Sequence, residues 1–241
     1  MYLIEFDSKD AAYHFSIEEY FTRFMKLLKP VLMVWQTDKT VMLGNNQVVL
    51  SEVDRDFAHS MGISIIRRSS GGGAIFTDTG TVLYTMIEPL LYDNKTHREQ
   101  TADIIIDALK SLDIKAVQEG RNDILLNGKK ISGLAQYSSG NHICTHGSLL
   151  YDTDLEVLTN VLIANENKLH PKGITSIRSR VTNIKPNISE NLSIEDFIKK
   201  IKIELLRGKD FLEYEINEND HAMIRNIYKE KYSNENWNFR M

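Results

Sequence analysis

One cysteine, four prolines and no long apolar run are the scarcities of this 241-residue sequence. The single thiol, Cys144, cannot close an intrachain disulfide, which suits a reducing compartment and sets the expectation of a cytoplasmic protein. No apolar stretch approaches the roughly 20 residues that a membrane helix needs. The opening Met1-Tyr2-Leu3-Ile4-Glu5-Phe6-Asp7 has neither the basic start nor the small-residue cleavage site of a secretory leader. No membrane partner is expected. There is no HExxH motif and no second cysteine to build a zinc site, so a structural metal is not expected either. A net charge of −4 argues against coating nucleic acid with a broad positive surface. The basic residues must act locally.

What is present alternates between strands and amphipathic helices, without an internal repeat or a linker-like stretch, and predicts a mixed α/β fold in a single domain. Helices are expected over Tyr13 to Leu28, Ser51 to Met61, Thr96 to Leu112, Leu155 to Leu162, Ser193 to Leu206 and Asn219 to Tyr232. The third carries Thr96 and Glu99 at capping-box spacing and a stripe of Ala102, Ile105, Ile106, Leu109 and Leu112. Val31 to Trp35 and Thr40 to Leu43 read as a strand pair, and Ile63 to Arg67 and Thr81 to Ile87 as strands bracketing a glycine run. Asn127-Gly128 between Asp123–Leu126 and Lys129–Tyr137 is a hairpin signal, because both residues tolerate the positive φ of a type I′ turn. His142 to Leu150 is a further strand.

Three stretches carry the chemistry. In Arg67-Arg68-Ser69-Ser70-Gly71-Gly72-Gly73-Ala74-Ile75-Phe76, two fixed charges stand beside three glycines, so backbone amides can approach a phosphate while guanidinium forks supply paired hydrogen bonds. The run is neither GxxxxGK[ST] nor GxGxxG, so neither a P-loop nor a Rossmann fingerprint is read from it. Adjacent strand residues point to opposite faces, so one of Arg67 and Arg68 should reach a ligand and the other pack elsewhere. Lys130 follows the hairpin turn, where it could stabilise the extra negative charge of phosphoryl transfer, with Ser132 expected on the same side of the strand. Lys172-Gly173-Ile174, behind Pro171 and ahead of Arg178 and Arg180, reads as a basic loop that can order over a ligand. Asp123 could help hold a magnesium ion accompanying a nucleotide. Cys144 and His146 stand two apart, a spacing open to an acyl-thioester nucleophile and its base, against the commoner reading of a core cysteine.

The Arg67–Phe76 run, Gly120-Arg121-Asn122-Asp123, Lys129-Lys130-Ile131-Ser132-Gly133-Leu134-Ala135-Gln136, His146-Gly147-Ser148-Leu149-Leu150 and Lys172 through Asn183 resemble, in order and spacing, the lipoate-protein ligases of the A type. That superfamily also holds the biotin-protein ligases and octanoyltransferases. The resemblance implies mixed β-sheets flanked by helices in one catalytic domain over 1–241. It also implies a two-step reaction in which Mg-ATP adenylates lipoate and the lipoyl-adenylate then acylates a carrier lysine. By position, Arg68 and Gly71 through Phe76 would contact the nucleotide. Lys130 would be the catalytic lysine touching lipoate and the α-phosphate, and Asp123, Ser132, Gly133, His146, Lys172 and Gly173 would complete the site. The implied cofactors are ATP and Mg²⁺. The implied partners are lipoyl carrier domains of the glycine-cleavage H-protein or 2-oxoacid dehydrogenase E2 type.

The sequence departs from the family pattern at Thr77, Thr81 and Asn45, where histidine, asparagine and arginine are usual. These changes are expected around the acyl pocket. Longer members continue into a small C-terminal domain that supports adenylation; its absence after the Trp237 segment leads to the expectation of a truncated chain, an accessory subunit, or transfer as the main activity. Two other readings stand beside the ligase: an ATP-independent octanoyl- or lipoyl-transferase using Cys144, and a noncatalytic carrier-binding protein.

Overall fold

A computed structural model describes residues 1–163 and 180–240. Its strands form two sheets. The larger has eight strands in the order β11-β1-β2-β6-β10-β9-β8-β7, and the smaller has three in the order β4-β3-β5. In chain order these are β1 Tyr2–Ile4, β2 Val31–Trp35, β3 Thr40–Leu43, β4 Ser64–Arg67, β5 Ile75–Thr77, β6 Thr81–Pro89, β7 Ala116–Glu119, β8 Asp123–Leu126, β9 Lys129–Ser139, β10 His142–Leu150 and β11 Leu212–Glu213. The expected α/β class holds, but the pairing of β2 with β3 does not. Trp35 ends a strand paired to β6, whereas β3 runs parallel to β4 in the other sheet, so the segment between them crosses sheets instead of turning a hairpin.

Period-two alternation divides the large sheet's side chains between two cores. Leu32, Tyr84, Ile124, Ile131 and Leu149 pack under α3 (Asn94–Lys110) and α5 (Ile194–Leu206). Val31, Met33, Trp35, Leu83 and Cys144 pack under α1 (Ala11–Glu19) and α6 (Glu218–Ile227). A third core joins the small sheet to α2 (Arg55–Ser60) and α4 (Leu155–Val161) through Val41, Phe76, Ala58 and Val157.

Helix starts lie where aspartates can cap. Asp54 accepts from the Phe57 N–H and Asp93 from the Thr96 N–H, so α2 and α3 begin at these residues instead of at Ser51 and the Thr96/Glu99 box. Ser193 caps α5 as its spacing predicts. The expected first helix stops short of Leu28, in a π-helical turn over Tyr20–Phe24, while the last ends at Tyr232 as expected, its final turn Tyr228–Tyr232 being π-helical. The final short helix, α7, is Glu235–Asn238. Asn127 and Gly128 take positive φ of 52° and 74°, completing the predicted tight hairpin. No described helix is long and apolar enough to cross a membrane.

Candidate active site

The α1 face of the large sheet and the loop joining β4 to β5 enclose a cavity of about 210 Å³. Its walls are sorted by chemistry. Phe15, Trp35, Met42 and Leu83 make an apolar portion, while Arg68, Asn122, Asp123, Lys130, His146 and Ser148 supply the polar groups. Gly72, Gly73, Ala74, Ile75 and Gly133 bring backbone up to the space. A ligand with an aliphatic body and an anionic end fits such a division.

Adjacent Arg67 and Arg68 do separate, as strand alternation requires. Arg67 turns away from the cavity and is 1% exposed. Its guanidinium donates to the carbonyls of Gly44, Asn45, Gln47, Trp237, Asn238 and Arg240, so it ties the C-terminal segment to the back of the loop. Arg68 lines the cavity, but its donors are largely committed: Nε to Ser70 Oγ at 2.9 Å, Nη1 to Met42 O at 2.8 Å, and Nη2 to Gly71 O and Gly73 O at 2.7 and 2.8 Å. Burial lowers the Arg68 guanidinium to about 10, with Glu18 opposing that shift. It therefore shapes the loop more than it forks a phosphate. The N–H groups of Gly72, Gly73 and Ala74 have no acceptor among the described residues, and all three residues line the cavity. Gly72 sits at φ +94°, a conformation that side chains rarely tolerate. Successive backbone amides free of internal partners are the groups from which anion-binding concavities are built.

Lys130 reaches the same cavity from the hairpin. Its ammonium is 2.7 Å from Asp123 Oδ1, and its chain lies over Gly133, where an added Cβ would stand 2.9 Å from Nζ. A side chain at this position would displace the end of the lysine from its present path. The strand carries a β-bulge here: Ile124 pairs with Ser132 and Leu125 with Lys130, so Ile131 is an extra residue. Because cross-strand partners share a face and Ile124 and Leu125 do not, the bulge sends Ser132 to the opposite face from Lys130. Ser132 lies 3.3 Å from the Tyr84 hydroxyl, outside the cavity, and the expectation that it would join Lys130 is overturned.

His146 is 7% exposed and held at both ring nitrogens, with Nδ1 2.9 Å from Glu18 Oε2 and Nε2 2.6 Å from Ser70 Oγ. His142 stands four residues before it, a spacing that pairs side chains on a helix, but on β10 the two are separated by roughly 13 Å. Cys144 is fully buried, and burial, reinforced by Glu18, pushes its thiol well above the usual value. A thiol so held is a core residue, not an acyl carrier.

Of the other predicted positions, Phe76 faces the third core and Gly71 lies outside the cavity. Lys172, Gly173 and Arg178 lie outside the described residues. Thr77, Thr81 and Asn45 do not line the pocket. Thr77 bonds Thr37 at 2.7 Å, Thr81 bonds Thr153 at 2.8 Å, and the Asn45 carbonyl takes donors from Arg67 and Arg240. Sequence reasoning missed Glu18, Asn122 and the aromatic wall of Phe15 and Trp35. The one available signal was the Glu18-Glu19 pair on a helix that also carries Ala11, Ala12, Phe15 and Ile17, all buried.

The family model described as lipoyl protein ligase A/B catalytic domain matches residues 10–206. The lipoate-protein ligase LplJ of Bacillus subtilis is 31% identical over 233 residues, covering 95% of this chain and 70% of the relative. A bi-partite lipoate protein ligase of Thermoplasma acidophilum superposes with a TM-score of 0.85 at 27% identity, covering 99% of this chain and 95% of that one. A lipoate-protein ligase A bound with ATP does so at 0.85 and 26% identity, covering 99% and 98%. The chain with this amide-lined cavity and its lysine therefore belongs to the lipoyl protein ligase A/B catalytic domain family, among the lipoate-protein ligases of the A type.

Proposed function

We propose that the cavity carries out ATP-dependent lipoylation. In the first step a lipoate carboxylate oxygen attacks the α-phosphorus of ATP, forming the mixed anhydride lipoyl-AMP and releasing pyrophosphate. In the second the ε-amine of a carrier-domain lysine attacks the acyl carbon. The bond to the phosphate oxygen breaks, AMP leaves, and the amine gives up a proton as the amide forms. The observation that carries this reading is the meeting, in one cavity with an apolar wall, of the Lys130 ammonium and the free amides of Gly72, Gly73 and Ala74.

Lys130 is placed to neutralise the carboxylate and the α-phosphate together, and then the charge that grows on the leaving AMP. The loop amides and the remaining Arg68 donor hold phosphate oxygens; Phe15, Trp35, Met42 and Leu83 take the aliphatic chain and exclude water from the anhydride. No nucleophilic side chain is required, which accords with a buried Cys144. Magnesium fits the oxygen donors present: Asp123 is at the cavity with one oxygen turned to Lys130, and the buried Asn122 Oδ1 has no partner among the described residues. These two would hold it beside the phosphates, where it would offset their charge.

A bi-partite ligase of this fold has been described together with an E2 lipoyl domain, and a lipoyl carrier domain is the acceptor we assign here. An E2-type or H-protein-type carrier and an accessory adenylation subunit complete the proposal. The test follows pyrophosphate release and carrier mass with lipoate, Mg-ATP and a lipoyl domain, beside a tube supplied with lipoyl-AMP. Modification from ATP is the expected result. Modification from lipoyl-AMP alone assigns adenylation to a missing subunit, and modification in neither tube overturns the reading.

A further inference from the structure

The buried groups behind the glycine loop form a single file. Arg68 Nε–H donates to Ser70 Oγ at 2.9 Å, Ser70 Oγ lies 2.6 Å from His146 Nε2, and His146 Nδ1 lies 2.9 Å from Glu18 Oε2. Glu18 also accepts from Thr85 Oγ1 at 2.5 Å. Exposures of 1% for Glu18, 0% for Ser70 and 7% for His146 place the whole file away from bulk water. Two of the directions follow from the donors: a carboxylate only accepts, so His146 Nδ1 carries the hydrogen of its bond to Glu18, and a guanidinium only donates, so Ser70 Oγ accepts from Arg68 Nε.

The outline is that of a Ser–His–Glu triad, but its serine cannot act as one. Ser70 is fully buried, does not line the cavity, and already accepts a hydrogen bond from a guanidinium. What the file does reach is the loop: the far end of Arg68 holds the carbonyls of Gly71 and Gly73, which fixes the backbone of the segment whose Gly72, Gly73 and Ala74 line the cavity with amides that have no acceptor among the described residues. Glu18 also supplies the buried negative charge that favours the Arg68 cation. On the neighbouring position of α1, Glu19 accepts directly from Ser69, whereas Glu18 reaches Ser70 only through His146.

We propose that Glu18, His146 and Ser70 are positioning residues that act through Arg68 to preset the glycine loop for the nucleotide's phosphates. This rests on the adenylation reading above. The test compares wild type with Ser70→Ala, Glu18→Gln and the double variant. Loss of the file should raise the KM for ATP about tenfold in pyrophosphate release, the effect of roughly one hydrogen bond, with kcat and the KM for lipoate within about threefold. Because one file is broken in either case, the double variant should be no worse than the weaker single one. The Asn45 amide, held by the Ser70 carbonyl at 2.8 Å, should exchange with solvent about tenfold faster in Ser70→Ala, while Leu83 in the central sheet exchanges as in wild type. Additive effects, a fall in kcat at unchanged KM, or an unchanged Asn45 rate would overturn the proposal. A wild type that releases no pyrophosphate would count against the adenylation reading alone, since the exchange comparison is independent of turnover.

Discussion

Neighbouring residues of one type take opposite duties in this molecule. Arg67 and Arg68 follow the alternation that a strand imposes, and that much was legible in the residues; which of them faces the cavity came only from the family resemblance, which points to Arg68, because in the fold it depends on the C-terminal segment that Arg67 holds. Cys144 was ambiguous for a similar reason. Spacing alone allowed a thiol–imidazole pair, and only the burial of the thiol beside Glu18 separates a core cysteine from a reactive one. Cys144→Ala should therefore retain carrier lipoylation within about twofold and cost about 1–2 kcal/mol of stability from the small void it leaves. Folded wild type should also resist iodoacetamide at neutral pH. Loss of acyl transfer in the alanine variant, or fast alkylation of the native thiol, would restore the transferase reading.

At the scale of elements, the strongly patterned segments were readable. Strand β10 and the β8–β9 hairpin lie where alternation and Asn127-Gly128 place them. The β-bulge was not readable, since Lys130-Ile131-Ser132 alternates polar and apolar as an unbroken strand would, and the extra residue appears only in the pairing with Ile124 and Leu125. That one residue decides the site, because it keeps Lys130 on the face of Asp123 and Gly133 while Ser132 goes to Tyr84. Short strands such as β5 and β11 were missed because three and two residues are too few to show a period. Gly133→Val tests the lysine's path. Its branched side chain would occupy the space of the Lys130 Cε and Nζ, and lipoyl-AMP formation should fall by about a hundredfold, the scale expected for a misplaced charge at a reacting centre. Far-ultraviolet circular dichroism should be unchanged. Normal adenylation in that variant would mean that Lys130 reaches its substrate by another route.

Across the whole molecule, the C-terminal segment returns to the glycine loop through buried charge. Glu19 accepts from Lys231, Tyr232 and Ser69, linking α1, the final π-helical turn and the loop. Burial raises the Glu19 carboxyl, but its hydrogen bonds with Lys231 and Tyr232 outweigh that and hold it below its usual 4.5; burial also lowers the Lys231 ammonium in spite of its partner. A carboxylate held low stabilises the fold fully above its unfolded value and progressively less as pH falls through the folded one. The thermal midpoint of wild type should drop more steeply below pH 4.5 than that of Glu19→Gln. Parallel curves would show that this network does not respond to acid.

In the proposed reaction Lys130 is the group that serves both halves. Its most direct test is the intact mass of a lipoyl domain after incubation with lipoate, Mg-ATP and either wild type or Lys130→Ala, the variant first shown to be folded by circular dichroism. One added lipoyl group with wild type and none with the variant is the predicted result; equal modification by both would contradict the account.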